Sequence, residues 1–216
     1  LRALAGVRVF FGHHSVGRGI LEGVDDIARS LRGRVHVESA PVGDNGDPLG
    51  KIADFEVRAL RSAADVVVMK LCYADFCPDT NVDALVDAYA RSVARIRAAR
   101  PGVVVVHTTP PLHARQHDLR SRVNRTLGRT VWEDGSNKKR LELAEELRAT
   151  FPRDPFFDLA RVESTRPDGT REMYAVDDRL VPMMWPGYSV DGGHLNSIGR
   201  RMAARAFVHA LARAVH

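Results

Sequence analysis

The chain has no apolar run long enough to cross a bilayer, so no membrane-spanning helix is expected. Cysteine is scarce. Cys72 and Cys77 are the only two, with no CxxC spacing, which speaks against a thiolate zinc site. Lying five residues apart, they either close a short disulfide in an exported protein or remain two thiols. No HExxH and no other carboxylate–histidine cluster completes a metal set around the adjacent His13 and His14, and neither a metal nor a cofactor is expected. Internal repeats and low-complexity segments are absent. The first residue is Leu1 rather than Met, which leaves exported and cytoplasmic locations equally open.

What is present is an ordinary globular composition, 44% hydrophobic and 27% charged over 216 residues, which suits one domain across residues 1–216. The net charge of +5 concentrates in one segment. Between Arg115 and Arg140 stand eight basic residues (Arg115, Arg120, Arg122, Arg125, Arg129, Lys138, Lys139, Arg140) against three acids. That segment carries a single aromatic, Trp132, and no recognition motif, so a nucleic-acid partner is not expected. It reads either as a solvated helical insertion or as a basic rim that draws acidic substrates.

Hydrophobic patterning predicts strands at residues 7–11, 34–38, 65–71 and 102–108, with a weaker one at 154–159. Helices are predicted at residues 16–31, 51–63, 81–100 and 195–215, the last with Ile198, Met202, Phe207 and Leu211 on one face. Alternation with near-continuous apolar strands argues for a parallel sheet covered on both faces. Ligands of such sheets bind beyond the carboxyl ends of the strands. Ser15 and residues 42–46, 72–75 and 108–111 all follow strands at that edge. Residues 112–190 form an irregular, partly helical insertion, with helical pieces near 118–127 and 136–150.

Two short stretches carry chemistry. Ser15 follows the first strand in Gly-His-His-Ser15-Val-Gly, and Asp191-Gly-Gly-His194-Leu-Asn precedes the last helix. A serine in that place serves as a helix N-cap, as a nucleophile, or as both, because a helix start also offers amides to an oxyanion. Asp191 three residues before His194 suits a carboxylate that accepts the Nδ1 proton while Nε2 faces Ser15. His14 beside the serine reads as a substrate contact or as packing, and Trp185 as a pocket wall or as core.

On these residues the chain resembles the SGNH (GDSL-like) hydrolase superfamily. Asp191 to Gly199 is similar to the final block, and Gly12 to Gly17 to the first, with His-His-Ser in place of Gly-Asp-Ser. Asn45-Gly46-Asp47 resembles the second-block turn, which puts the block's Gly role on Gly46, with Gly43 the alternative. The third block departs from the pattern, since Ala74 stands where the oxyanion Asn is expected and a methyl donates no hydrogen bond.

The resemblance implies a flavodoxin-like three-layer sandwich with a central parallel five-stranded sheet. It implies a serine esterase acting on a small-molecule or glycan ester, with Ser15, His194 and Asp191 as the triad and a small O-acyl group such as acetyl removed from a carbohydrate. The oxyanion hole falls to Ser15, Gly46 and Asn45, and His14, Tyr73, Asp75 and Trp185 are the candidate substrate contacts. An O-acyltransferase using the same site and a non-catalytic glycan-binding module are the alternatives. Oligomeric state stays open.

Overall fold

The computed structural model describes residues 2–31, 35–115, 118–129, 131–176 and 178–216. Five strands form one sheet: β1 (Arg8–His13), β2 (His36–Pro41), β3 (Val66–Met69), β4 (Val104–Thr108) and β5 (Phe156–Phe157). Their order is β2-β1-β3-β4-β5, and every pair is parallel. This is the expected α/β sandwich with its five-stranded parallel sheet. The predicted start of the second strand, Arg34, lies outside the described residues, and the strand runs instead to Pro41.

Helices cover both faces, which is why β1, β3 and β4 are buried at nearly every position. Successive side chains along a strand point to opposite sides. Val9 and Phe11 accordingly join Val66, Val68 and Val106 beneath α1 (Val16–Ser30) and α7 (Ser197–Ala214). Phe10, Val67 and Val105 join the other half-core beneath α2 (Pro48–Arg61), α3 (Val82–Ala99) and α5 (Trp132–Thr150).

Helix boundaries differ from expectation where capping chemistry outweighs hydrophobic period. The second helix begins at Pro48 rather than residue 51, because Asp47 accepts the Gly50 amide at 2.8 Å and Pro48 suits the first turn. On α7, Ile198 and Met202 are exposed, and the buried stripe is Gly199, Ala203, Ala204, Phe207, Ala210 and Leu211. Small residues there let α1 approach closely. A Cβ on Gly23 would sit 2.7 Å from Ala204 Cβ and 2.8 Å from the Arg200 carbonyl oxygen. Gly23→Leu is therefore expected to destabilise the protein by about 1–3 kcal/mol, read as a lower denaturant midpoint at unchanged m-value.

The insertion holds α4 (Leu119–Thr126), α5, β5, α6 (Leu159–Ser164) and an unpredicted hairpin, β6 (Met173–Val176) with β7 (Arg179–Pro182). The hairpin packs on α5 through Tyr174, whose hydroxyl donates to the Asp134 carbonyl at 3.0 Å.

Candidate active site

Strand register aligns Gly12 of β1 with Met69 of β3 and Ala40 of β2. The segments that follow, residues 13–15, 42–46 and 70–75, thus share one edge of the sheet. Ser15 turns the chain from β1 into α1 with φ +26° and ψ −85°, a left-handed backbone that a non-glycine residue rarely adopts. Its hydroxyl makes no capping bond to the helix, so the N-cap reading does not describe this side chain. Ser15 is exposed, its amide donates to no group among the described residues, and its Oγ lies 3.9 Å from Cys72 Sγ.

Asp191 and His194 are joined as their spacing predicts. His194 Nδ1 lies 2.7 Å from Asp191 Oδ2, while Asp191 Oδ1 accepts the amides of His194 at 2.8 Å and Gly193 at 3.0 Å. The His194 amide, with further help from the Gly193 amide and the imidazole, outweighs burial and draws the carboxyl down to about 2. Both intervening glycines are needed. Gly192 has φ +95°, and a Cβ there would lie 2.8 Å from the His113 ring. A Cβ on Gly193 would meet the Tyr73 ring at 3.0 Å.

Ser15 and His194 line one cleft with Val16, Arg18, Gly19, Glu22, Leu195 and Arg200. No hydrogen bond joins the hydroxyl to the imidazole in this structure; catalytic bonds of this kind commonly tighten only with substrate in place. Arg200 is held by Glu22 at 2.6 Å and by the Leu195 carbonyl at 3.1 Å. Arg18 has no ion-pair partner among the described residues. A separate small void lined by Ile52, Met69, Leu85 and Tyr89 lies within the other half-core, away from this chemistry.

The second block differs from expectation. The Gly46 amide donates to Asp75 Oδ1 at 3.0 Å, and the Gly43 amide to Asp54 Oδ2 at 3.0 Å, so neither is free for an oxyanion. Asn45 Oδ1 accepts from Lys51 Nζ at 2.9 Å, and its side-chain NH2 group has no partner among the described residues. Lys51 and Asp75 form a fully buried ion pair at 2.6 Å, and Asp75 also takes the Cys72 amide at 2.6 Å. Asp75 is therefore a strut between the second and third blocks, with no oxygen turned to a substrate.

His14 is likewise a brace. Its Nε2 donates to the carbonyls of Val42 at 2.9 Å and Gly43 at 2.7 Å. Trp185 packs edge-on against Tyr188 with centroids 4.7 Å apart and covers Gly187, a place beside the core rather than in the cleft. Tyr73 does stand at the site, its ring 5.5 Å from that of His194 and 5.7 Å from that of His113. Burial first, then nearby Asp191, push its phenol above the ordinary value.

Sequence reasoning missed His113, Lys51, Lys70 and Arg140. The signal for His113 was its place two residues beyond the expected edge segment that ends at Pro111. Arg140, at 3% exposure, donates to the Tyr73 carbonyl at 2.7 Å and so ties α5 to the site. The two cysteines are free thiols. Much of the basic segment is engaged: Arg115 and Arg125 pair with Asp134, and Lys139 pairs with Glu142.

No family model matches the chain, and no curated protein does. Solved structures do. The chain is similar to a lipase/acylhydrolase from Enterococcus faecalis, at 17% identity and TM-score 0.61, covering 96% of each chain. It is similar to the periplasmic domain of a lipopolysaccharide acetyltransferase from Salmonella ser. Paratyphi A, at 13% identity and TM-score 0.57, covering 94% of this chain and 83% of the other. A structure described as a lipolytic protein of the G-D-S-L family, from Desulfitobacterium hafniense, matches at 10% identity and TM-score 0.57, covering 94% and 99%. The chain thus has the fold of the SGNH (GDSL-like) hydrolase superfamily.

Proposed function

We propose that the protein is a serine esterase in which Ser15 is the nucleophile, His194 the general base and then acid, and Asp191 the group that orients His194. The carrying observation is that His194, paired with Asp191 at 2.7 Å, lines one cleft with an exposed Ser15 whose hydroxyl caps no helix. Ser15 Oγ attacks the ester carbonyl as its proton passes to His194 Nε2. The imidazolium returns that proton to the departing alcohol, leaving an acyl-enzyme. A water then attacks, gives its proton to His194, and the acid leaves as Ser15 is reprotonated. No cofactor enters these steps. The Ser15 amide and the Asn45 side-chain NH2 are the proposed oxyanion donors.

The proposed substrate is a small O-acyl ester, acetyl above all, on a carbohydrate. The charged side chains of Arg18, Glu22 and Arg200 along the cleft support this, as does the acetyltransferase among the neighbours. That neighbour also favours a second reading, O-acyl transfer through the same acyl-enzyme. A fluorophosphonate should add once, and peptide mapping should find it on Ser15; an adduct elsewhere overturns the assignment. Faster turnover on adding an alcohol acceptor marks a transferase. A protein that takes no adduct yet binds glycan is a binding module.

Arg18, which has no ion-pair partner among the described residues, replaces the basic insertion as the group expected to favour acidic glycans. Arg18→Glu should raise KM for an acetylated uronate at least about fivefold, fading as salt is added, with KM for neutral nitrophenyl acetate unchanged. Equal effects on both esters would remove Arg18 from substrate recognition.

A further inference from the structure

By the resemblance, Ala74 stands where the third block's Asn donor is expected, and its methyl donates no hydrogen bond. We infer that the Cys72 thiol, backed by the buried Lys70, donates to the oxyanion, an inference that rests on the esterase reading above. Cys72 lies within reach of two groups. Cys72 Sγ lies 3.9 Å from Ser15 Oγ, and Lys70 Nζ lies 3.7 Å from the same sulfur. With Lys70 donating to the sulfur, the thiol's own proton is free to point toward Ser15, where the carbonyl oxygen becomes negative.

The thiol is held for this work. Cys72 and Lys70 are each 1% exposed, and the Lys70 ammonium is anchored on the Leu71 carbonyl at 3.0 Å. The Cys72 amide is fixed by Asp75, which Lys51 fixes in turn. A thiol is ordinarily a weak donor. A donor on its sulfur, out of water, strengthens it, because hydrogen bonds in a chain polarise one another. Burial lowers the Lys70 pKa, and the neighbouring Cys72 and Asp75 oppose that shift. A preorganised donor of this kind acts mainly in the transition state.

Cys72→Ala should therefore lower kcat for nitrophenyl acetate about 10- to 100-fold with KM within about twofold of the parent. Cys72→Ser should restore most of that loss, and so should Ala74→Asn placed in the Cys72→Ala background. Phosphonylation of Ser15, whose adduct carries a charged oxygen in the same hole, should slow in Cys72→Ala by a similar factor. The infrared S–H stretch of Cys72, assigned by its disappearance in Cys72→Ala, should move to lower frequency when the adduct forms. Parent-like kcat in Cys72→Ala overturns the inference, as does equal loss in the Ala and Ser variants. Parent-rate phosphonylation of Cys72→Ala overturns the thiol donor while leaving the esterase reading in place. A parent protein that forms no adduct at Ser15 overturns both.

Discussion

Ser15→Ala is expected to lower ester hydrolysis at least about 1000-fold and to abolish phosphonate labelling, with no loss of stability. Stability should hold because the hydroxyl caps nothing, and its single side-chain contact is the long one to Cys72. Alanine meets the same left-handed backbone that serine does. Glycine does not: Ser15→Gly relieves a φ of +26° and should shift the denaturation midpoint upward while leaving the protein equally inactive. A gain in stability paired with complete loss of turnover would identify the strain as a device for presenting the nucleophile. Equal midpoints for all three proteins would show that the turn stores no strain worth relieving. Full activity in Ser15→Ala would end the serine mechanism outright.

Asp191→Asn is expected to cost about 100- to 10,000-fold in kcat, and His194→Gln as much or more. The Asn side chain can still accept the Gly193 and His194 amides through its oxygen, so the loop should keep its shape. Its NH2 group would then face His194 Nδ1, which has to turn acceptor, and the proton moves to Nε2, where the base is needed bare. The pH profile separates the two residues. Because the His194 and Gly193 amides hold the Asp191 carboxyl at about 2, the carboxylate is ionised throughout the working range. An acid limb of kcat/KM at mildly acidic pH thus does not come from the Asp191 carboxyl, and His194→Gln should erase it. For stability the sign is equally definite. The Asp191 value lies below the ordinary carboxylate, so its contribution is complete above about pH 4 and is lost as pH falls through about 2. A limb that survives His194→Gln would transfer the base role to another group.

Nearby His113 and Tyr73 illustrate why part of this site was hard to read. Both touch the glycines between Asp191 and His194, yet they come from the ends of different strands. The Asp191–His194 pair needs only one turn of chain to form, and three residues suffice to close it in any fold. The hairpin of β6 and β7 lacked such a signal, since each strand has only four residues. Final-helix Ile198 and Met202 misled for a related reason: period identifies a face only if large residues mark it, and here the final helix meets α1 through Ala204 against Gly23.

By itself, then, the sequence determined the alternation of strands and helices, the parallel sheet, and the two stretches that carry Ser15, Asp191 and His194, because these depend on local period and on short spacings. Which amides are free was decided only by the tertiary structure. Gly46 loses its amide to Asp75, 29 residues away, and Cys72 reaches Ser15 across 57. Those contacts exist because β1 lies between β2 and β3, which brings three strand ends to one edge. No property of a single segment encodes that adjacency, for it arises from burying both faces of the sheet at once.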